Sequence, residues 1–198
     1  AAKVVVDPFG KHLIDVMQSF GVSTKWMLQD KKHFTTFAFV SLMENGERDF
    51  YFNRGADGQL SREEVDGINL DEFSIIHFGS VTGFLPGPLQ SAYQSLLQRA
   101  SEKGLFISFD PNYRHLLFQQ GKQSFIDQSW SFLNHCHFFK VSDEEAMLLT
   151  GKLTVNDAAA DFLQKTNAVF AITLGKEGTL LGLNGKTQTI GSIDINPV

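Results

Sequence analysis

The fold of the chain follows from one stretch, Ile107-Ser108-Phe109-Asp110-Pro111-Asn112-Tyr113-Arg114. Its first residues continue an apolar run that begins at Leu105, after a helix-like segment that ends at Gly104. A short apolar run in this position predicts a buried parallel strand. Pro111 has no N–H group to donate to a neighbouring strand, so we expect the strand to end near Asp110.

Two polar residues, Asn112 and Arg114, therefore follow the carboxyl end of a predicted central strand. In an open α/β sheet, ligands bind at this edge. The planar guanidinium group of arginine has the donor geometry that phosphate oxygens accept. The alternative is an Asx turn followed by a surface arginine, and these residues alone do not decide between the two interpretations.

Strands and helices alternate along most of the sequence, and this alternation predicts right-handed crossovers in a doubly wound, mainly parallel α/β sheet with helices on both faces. One helix is predicted from Asp7-Pro8 to Gly21, and a short helix is predicted to begin at Ser61. Further helices are predicted at about 88–103, 124–134, 142–150 and 156–164. Strands are predicted at 1–6, 34–42, 48–53, 74–78, 105–110, 138–141, 169–174, 179–183 and 187–193.

The strands at 34–42 and 48–53 interrupt this alternation. The Asn45-Gly46 pair between them is a hairpin signal, so we interpret them as a small β-lid. The predicted domains are therefore an α/β core of residues 1–33 and 55–198 and a β-lid of residues 34–54.

The composition narrows the function classes. The 198 residues are 42% hydrophobic and 20% charged, with a net charge of −5. This acidic balance argues against nucleic acid as a partner. No apolar run reaches the length of about 18 residues that indicates a membrane span. The single cysteine, Cys136, cannot form an internal disulfide, so we expect a reducing compartment, the cytoplasm.

Polar groups also follow two further strands at the same predicted edge. Ser142 and Glu145 come after Val141 with capping-box spacing, which explains both residues without any ligand. The alternative is that Glu145 holds a hydrated Mg²⁺ near phosphates. The segment from Thr173 to Gly178 contains glycines that permit a concave turn whose N–H groups bind phosphate, although an ordinary glycine-containing turn has the same composition.

Several other chemistries lack their motifs. The sequence contains no Walker A pattern, no G-x-G-x-x-G and no G-x-S-x-G. The run His135-Cys136-His137 lacks the spacing of a zinc site. No activating base is identifiable for Cys136, which we interpret as a buried packing residue.

Taken together, these motifs resemble those of the PfkB carbohydrate kinases, which have the ribokinase-like fold. Asp110 to Arg114 matches the family's D-P-N-x-R, and Lys140 to Glu145 matches its N-x-x-E region in a K-V-S-D-E-E variant similar to that of fructokinases. Thr173 to Gly178 matches the T-x-G-x-x-G nucleotide turn. Lys3 to Gly10 resembles the family's K-V-G-D-D-P-F-G. Thr35 to Leu60 resembles the family's lid and the segment that leads from the lid back to the core domain.

The resemblance implies an ATP-dependent kinase that transfers the γ-phosphate to a hydroxyl of a hexose, with fructose as the expected sugar. It assigns Ala38, Phe52 and Arg54 to sugar binding and Glu145 to Mg²⁺. It assigns to ATP binding the residues Asn112, Arg114, Ser142, Thr173, Gly175, Lys176 and Gly178. The expected partners are a small-molecule sugar and ATP, with no nucleic acid and no membrane. The exposed lid strands also suit pairing between two subunits in a homodimer.

The resemblance also implies that the family's first strand and its Gly-Gly sugar-binding segment precede Ala1. The family's G-A-G-D segment, which carries the catalytic aspartate, is expected just after Val198. On this expectation the chain is a truncated ribokinase-like domain without the catalytic base. The alternatives are a sibling kinase for 2-keto-3-deoxygluconate or a nucleoside, and a non-catalytic sugar- or nucleotide-binding protein of the same fold.

Overall fold

The computed structural model describes residues 1–42, 48–118 and 121–193. The chain divides into two compact units. The first unit consists of Ala1–Leu70, Thr82–Arg99 and Arg114–Gln119, and the second consists of Asp71–Val81, Ala100–Tyr113 and Gln120–Val198.

Two small sheets lie in the first unit. The first pairs β1 (Ala2–Val5) in parallel with β2 (Met27–Asp30), and α1 (Pro8–Ser19) connects these strands. The second pairs β3 (Phe37–Leu42) with β4 (Arg48–Asn53) in antiparallel fashion. The unit also contains the short helix α2 (Arg62–Asp66) and most of α3 (Pro88–Glu102).

Helix α1 begins as the sequence predicts. Asp7 is the N-cap, its carboxylate accepts the Gly10 N–H at 2.7 Å, and Pro8 occupies the first helical position. A Cβ atom at position 10 would overlap the carbonyl oxygen of Val5. Only glycine therefore allows α1 to pack this closely on β1.

A six-stranded sheet forms the second unit, in the order β10-β9-β8-β7-β6-β5. Its strands are β5 (Ile75–Gly79), β6 (Phe106–Asp110), β7 (Phe138–Ser142), β8 (Val169–Thr173), β9 (Thr179–Leu183) and β10 (Lys186–Ile190). Strands β5 to β8 run parallel, while β9 and β10 are antiparallel additions at one side. The intervening helices are α4 (Lys122–Leu133), α5 (Asp143–Thr150) and α6 (Val155–Lys165).

The core of this unit is aromatic. Phe109 on β6 stacks on Phe132 of α4 with ring centroids 5.1 Å apart. Phe162 of α6 lies 5.0 Å from Phe139 on β7 and 5.4 Å from Phe170 on β8. All five rings are fully buried. Because aromatic side chains contribute large buried areas with specific packing geometry, these contacts fix α4 and α6 against the three parallel strands.

Most strands predicted from the sequence are present within one or two residues of their expected ends. Strand β10 ends at Ile190 and not at Ile193, and two further differences have local causes. Strand β3 begins at Phe37 and not at Phe34, because the hydroxyls of Thr35 and Thr36 donate hydrogen bonds to the carboxylates of Asp7 and Asp57. The sequence analysis also missed β2, whose residues Met-Leu-Gln-Asp lack an apolar pattern.

The lid boundaries remain a prediction. The described strands β3 and β4 form a sheet of their own, and the predicted Asn45-Gly46 turn lies outside the described residues. Among the helices that the structure describes, none combines the length and the apolarity needed to cross a bilayer.

We expect Gly182→Ala to destabilise the protein. A Cβ atom at Gly182 of β9 would overlap the ring of Phe170 on β8, and this ring is fully buried and has no room to move. Overpacking of this kind costs about 1–3 kcal/mol, which urea denaturation measures. Gly191→Ala is the control, because a Cβ there meets nothing within 4 Å. Equal stability losses in both variants would contradict the prediction.

Candidate active site

The parallel strands of the second unit end at one edge of its sheet. Ser142 at the end of β7 pairs with Thr173 at the end of β8, and Gly79 at the end of β5 pairs with Asp110 at the end of β6. The polar segments that the sequence predicts to be neighbours therefore begin at the same edge, which is the ligand-binding edge of open α/β sheets.

The loop after β6 leaves the strand through Pro111, as predicted. Asn112 adopts a positive φ of 47°, a conformation that asparagine tolerates better than most residues but that still costs energy. The backbone N–H of Tyr113 donates to Glu145 Oε1 at 2.7 Å, and the Tyr113 ring packs on Phe125 of α4 at 4.8 Å between centroids. The loop is thus held from two sides directly after its strained residue.

Sequence reasoning missed an ion pair at the start of this loop. Lys140 on β7 places its Nζ 3.5 Å from Asp110 Oδ2 on β6. The other oxygen, Asp110 Oδ1, is buried and has no hydrogen-bond partner among the described residues. The available signal was Lys140 itself, the one charged residue inside the apolar run Phe138-Phe139-Lys140-Val141.

Ser142 and Glu145 form the predicted capping box at the start of α5. The Ser142 hydroxyl accepts the Glu145 N–H at 3.1 Å, and Glu145 Oε2 accepts the Ser142 N–H at 2.8 Å. With Tyr113 on Oε1, each carboxylate oxygen of Glu145 accepts a backbone N–H, and the residue is only 8% exposed. The helix-capping interpretation of both residues is therefore confirmed.

Each carboxylate oxygen of Glu145 accepts one backbone N–H, and an ionised carboxylate has further lone pairs on both oxygens. In the described parts of the chain, no three His, Cys, Asp or Glu side chains are grouped so that they could hold a metal ion. The assignment of Mg²⁺ to Glu145 remains a prediction.

The segment from Thr173 to Gly178 closes into a tight turn. The N–H of Leu174 donates to Gly178 O at 2.8 Å, and the N–H groups of Glu177 and Gly178 donate to Leu174 and Gly175 within the turn. Because these donors are already used, a phosphate contact would have to come from the exposed positions 175 and 176. Thr173 donates its hydroxyl to Val141 O at 3.3 Å, which ties the turn to β7.

The residues assigned to sugar binding lie in the first unit. Ala38 on β3 and Phe52 on β4 are directly opposite each other. Arg54 follows β4, and its Nε lies 3.5 Å from Asp57 Oδ2. Arg54 Nε and Nη2 are buried and have no hydrogen-bond partner among the described residues, so the guanidinium is held by charge more than by hydrogen bonds.

A thiol nucleophile does not fit the chain. Burial raises the pKa of Cys136 to about 12, so the side chain stays protonated at neutral pH. The Sγ atom donates to Leu133 O at 3.5 Å. The interpretation of Cys136 as a packing residue is confirmed.

Comparison with known proteins identifies relatives over nearly the whole chain. The model of the pfkB family carbohydrate kinase matches residues 2–198. Fructokinase-2 of Solanum lycopersicum is 30% identical over 195 residues, which are 97% of this chain and 59% of the relative.

Solved structures share the fold. An uncharacterised sugar kinase from Pyrococcus horikoshii in complex with ATP superposes with a TM-score of 0.84 at 26% identity, over 100% of this chain and 62% of that chain. Fructokinase from Vibrio cholerae O395, in a form with bound fructose, ADP and calcium ion, gives a TM-score of 0.86 at 21% identity, over 99% of this chain and 63% of that chain. The predicted ribokinase-like fold is thereby confirmed, and this chain spans about three fifths of the length of these proteins.

We expect Gly178→Ala to disrupt the turn after β8. Gly178 has φ 105° and ψ −139°, a conformation open almost only to glycine, and a Cβ atom there would overlap the carbonyl oxygen of Ile190. The two effects together should lower the free energy of unfolding by about 3 kcal/mol or more. Gly175→Ala is the matched control, because φ is 58° and its Cβ meets no atom within 4 Å. Its cost should be about 1 kcal/mol, and urea denaturation that ranks the two variants in reverse order would refute this account.

Proposed function

Because this chain belongs to the pfkB family of carbohydrate kinases, we propose that it forms part of an ATP-dependent kinase that phosphorylates a hydroxyl of a hexose. The observation that carries the proposal is the family match over residues 2–198. It is supported by the presence of three family motifs, in order, at or after the ends of parallel strands of one sheet.

Fructose is the proposed sugar. The support is the 30% identity to a plant fructokinase and the K-V-S-D-E-E sequence of residues 140–145, at the end of β7 and the start of α5. ATP is the proposed phosphate donor, in agreement with the ATP bound to the P. horikoshii sugar kinase. Mg²⁺ is proposed only as the counter-ion of that ATP, held by its phosphates and by water near Glu145.

Phosphoryl transfer depends on positioning and on charge stabilisation more than on covalent help from the protein. In this proposal the guanidinium fork of Arg114 and the amide of Asn112 bind phosphate oxygens. Ser142, Thr173 and the turn containing Gly175, Lys176 and Gly178 bind the rest of the nucleotide. Ala38, Phe52 and Arg54 contact the sugar, and the proposed base is the aspartate of the G-A-G-D segment expected after Val198.

The proposal extends to assembly and to the cellular compartment. On the β3–β4 sheet, Phe39, Val40 and Tyr51 are 62%, 51% and 76% exposed, and apolar groups on exposed strands favour pairing with a second copy. We propose a homodimer through this sheet. The buried free thiol of Cys136 is in keeping with a reducing compartment, the cytoplasm.

A coupled ADP-release assay tests the function. The intact gene product that contains this chain is supplied with MgATP and with fructose, 2-keto-3-deoxygluconate or a nucleoside. Fructose-dependent ADP release, with fructose giving the highest kcat/KM, is the expected result. Preference for another compound would reassign the substrate, and sugar binding without turnover on any compound would replace the kinase with a binding protein.

The 198 residues alone are the second sample in that assay. No turnover above background is expected, because general-base catalysis needs a base within hydrogen-bond reach of the hydroxyl and the proposed base lies outside them. Turnover equal to that of the intact gene product would place the base among the carboxylates of residues 1–198.

We expect Arg114→Lys to lower kcat/KM for ATP by about tenfold or more. Lysine keeps the positive charge but loses the planar fork, and a hydrogen bond to a charged group contributes about 1.5–3 kcal/mol. Steady-state kinetics of the intact gene product measure the change. His115→Gln, an exposed neighbour in sequence, is the control and should leave kcat/KM unchanged. Unaltered kinetics in Arg114→Lys would remove this residue from the phosphate site.

A further inference from the structure

The carboxylate of Glu145 joins two separate segments of the second unit. Glu145 lies in the first turn of α5 and is 8% exposed. One of its oxygens accepts the N–H of Ser142, at the end of β7, and the other accepts the N–H of Tyr113, in the loop after β6. Only the first contact belongs to a capping box, so the bond to Tyr113 needs an explanation of its own.

We infer that Glu145 is a positioning residue, which fixes the loop after β6 by binding the backbone of Tyr113. This inference rests on the proposed function, because Asn112 and Arg114, the proposed phosphate-binding residues, flank Tyr113 directly in sequence. Holding the residue between them limits the positions that both neighbours can take.

The need for such a contact follows from the backbone of the loop. Asn112 has a positive φ of 47°, and strained conformations persist only where the surroundings hold them in place. Two contacts at the next residue supply this restraint. They are the hydrogen bond from the Tyr113 N–H to Glu145 at 2.7 Å and the packing of the Tyr113 ring on Phe125 at 4.8 Å.

Glutamate is the side chain that fits both bonds. An ionised carboxylate accepts through two oxygens and has no donor. Glutamine has only one acceptor atom, so its amide NH₂ would face one of the two backbone N–H groups. Aspartate keeps the charge, but it is shorter by one methylene group and would not reach both donors.

This role differs from that of a metal ligand in a measurable way. If Glu145 held Mg²⁺, its replacement would raise the Mg²⁺ requirement and would leave the loop unchanged in the absence of metal. If Glu145 positions the loop, its replacement would free the Tyr113 amide without any metal or nucleotide present. The two accounts therefore differ in the exchange of the Tyr113 amide without metal and in whether excess Mg²⁺ restores activity.

The first experiment is hydrogen–deuterium exchange of the Tyr113 amide in the intact gene product, without nucleotide or Mg²⁺. Exchange should become about tenfold faster or more in Glu145→Gln, because a charge-assisted hydrogen bond is lost. Glu144→Gln removes the same charge from the neighbouring, exposed residue and should leave the exchange unchanged. Unchanged exchange in Glu145→Gln would overturn the inference.

Steady-state kinetics form the second experiment. In Glu145→Gln, kcat/KM for ATP should fall about tenfold or more even at saturating Mg²⁺, because excess metal does not restore the position of the loop. A raised Mg²⁺ requirement with normal Tyr113 exchange would overturn the inference in favour of a metal ligand. If the unaltered protein phosphorylates no sugar, the proposed function fails, but the exchange measurement still tests the contact.

Glu145→Asp is the second variant, and it keeps the negative charge at the start of α5. We expect it to resemble Glu145→Gln in both experiments, because its carboxylate is too short to join Ser142 and Tyr113. In Glu145→Asp, full protection of the Tyr113 amide together with normal kinetics would show that a negative charge alone is sufficient to hold the loop. This result would overturn the inference.

Discussion

The parallel pairing of β6, β7 and β8 is the constraint on which the second unit depends. Parallel strands need crossover helices, and these helices must bury one face of the sheet. The rings of Phe109, Phe139 and Phe170 supply that face, one from each strand. Since the register of these strands is fixed by the buried rings, the ends of the strands are fixed as well, and the polar segments that follow them are held at one edge of the sheet.

Both units use a carboxylate in the same way, at the point where a strand passes into a helix. Asp7 caps α1, and the N–H of Gly10 lowers the pKa of this carboxyl below its usual value. At α5 the N-cap is Ser142, and the carboxylate of Glu145 in the first turn completes the capping box. Each carboxylate also accepts a hydrogen bond from a more distant segment of its unit. Asp7 accepts the hydroxyl of Thr35, and Glu145 accepts the N–H of Tyr113. A cap that normally stabilises one helix end therefore also joins it to a distant loop.

Much of the second unit could be predicted because its strands are apolar runs with clear breaks. Pro111 ended β6 and Gly151 ended α5, as their backbone preferences require. The first unit was harder to predict. Among the described residues, strand β2 pairs with β1 alone and carries no apolar pattern, while Leu13 and Met17, one turn apart on α1, are 44% and 38% exposed. Periodicity shows which residues share a face, but it does not show what covers that face.

The candidate site was predictable in its residue types but not in its contacts. Capping-box spacing gave the bond between Ser142 and Glu145, because that bond is local. The bond from Tyr113 to Glu145 joins residues 32 positions apart, and its donor is a backbone N–H, which every residue except proline has. No side-chain pattern could have indicated it. The ion pair between Lys140 and Asp110 also joins neighbouring strands, so the local sequence around Lys140 does not identify its partner.

The contacts of Asp110 and Glu145 have one effect in common, which is to compensate negative charge at this edge of the sheet. The site proposed for the polyanion ATP includes the carboxylates of Asp110 and Glu145, and uncompensated negative charge there would repel phosphate. Lys140 lies 3.5 Å from Asp110, and two backbone N–H groups bind Glu145. The pair of Lys140 and Asp110 is partly exposed and contributes little to stability. Its effect is on the local field, because the Lys140 ammonium offsets the charge of Asp110, while the dipoles of two N–H groups stabilise the Glu145 carboxylate.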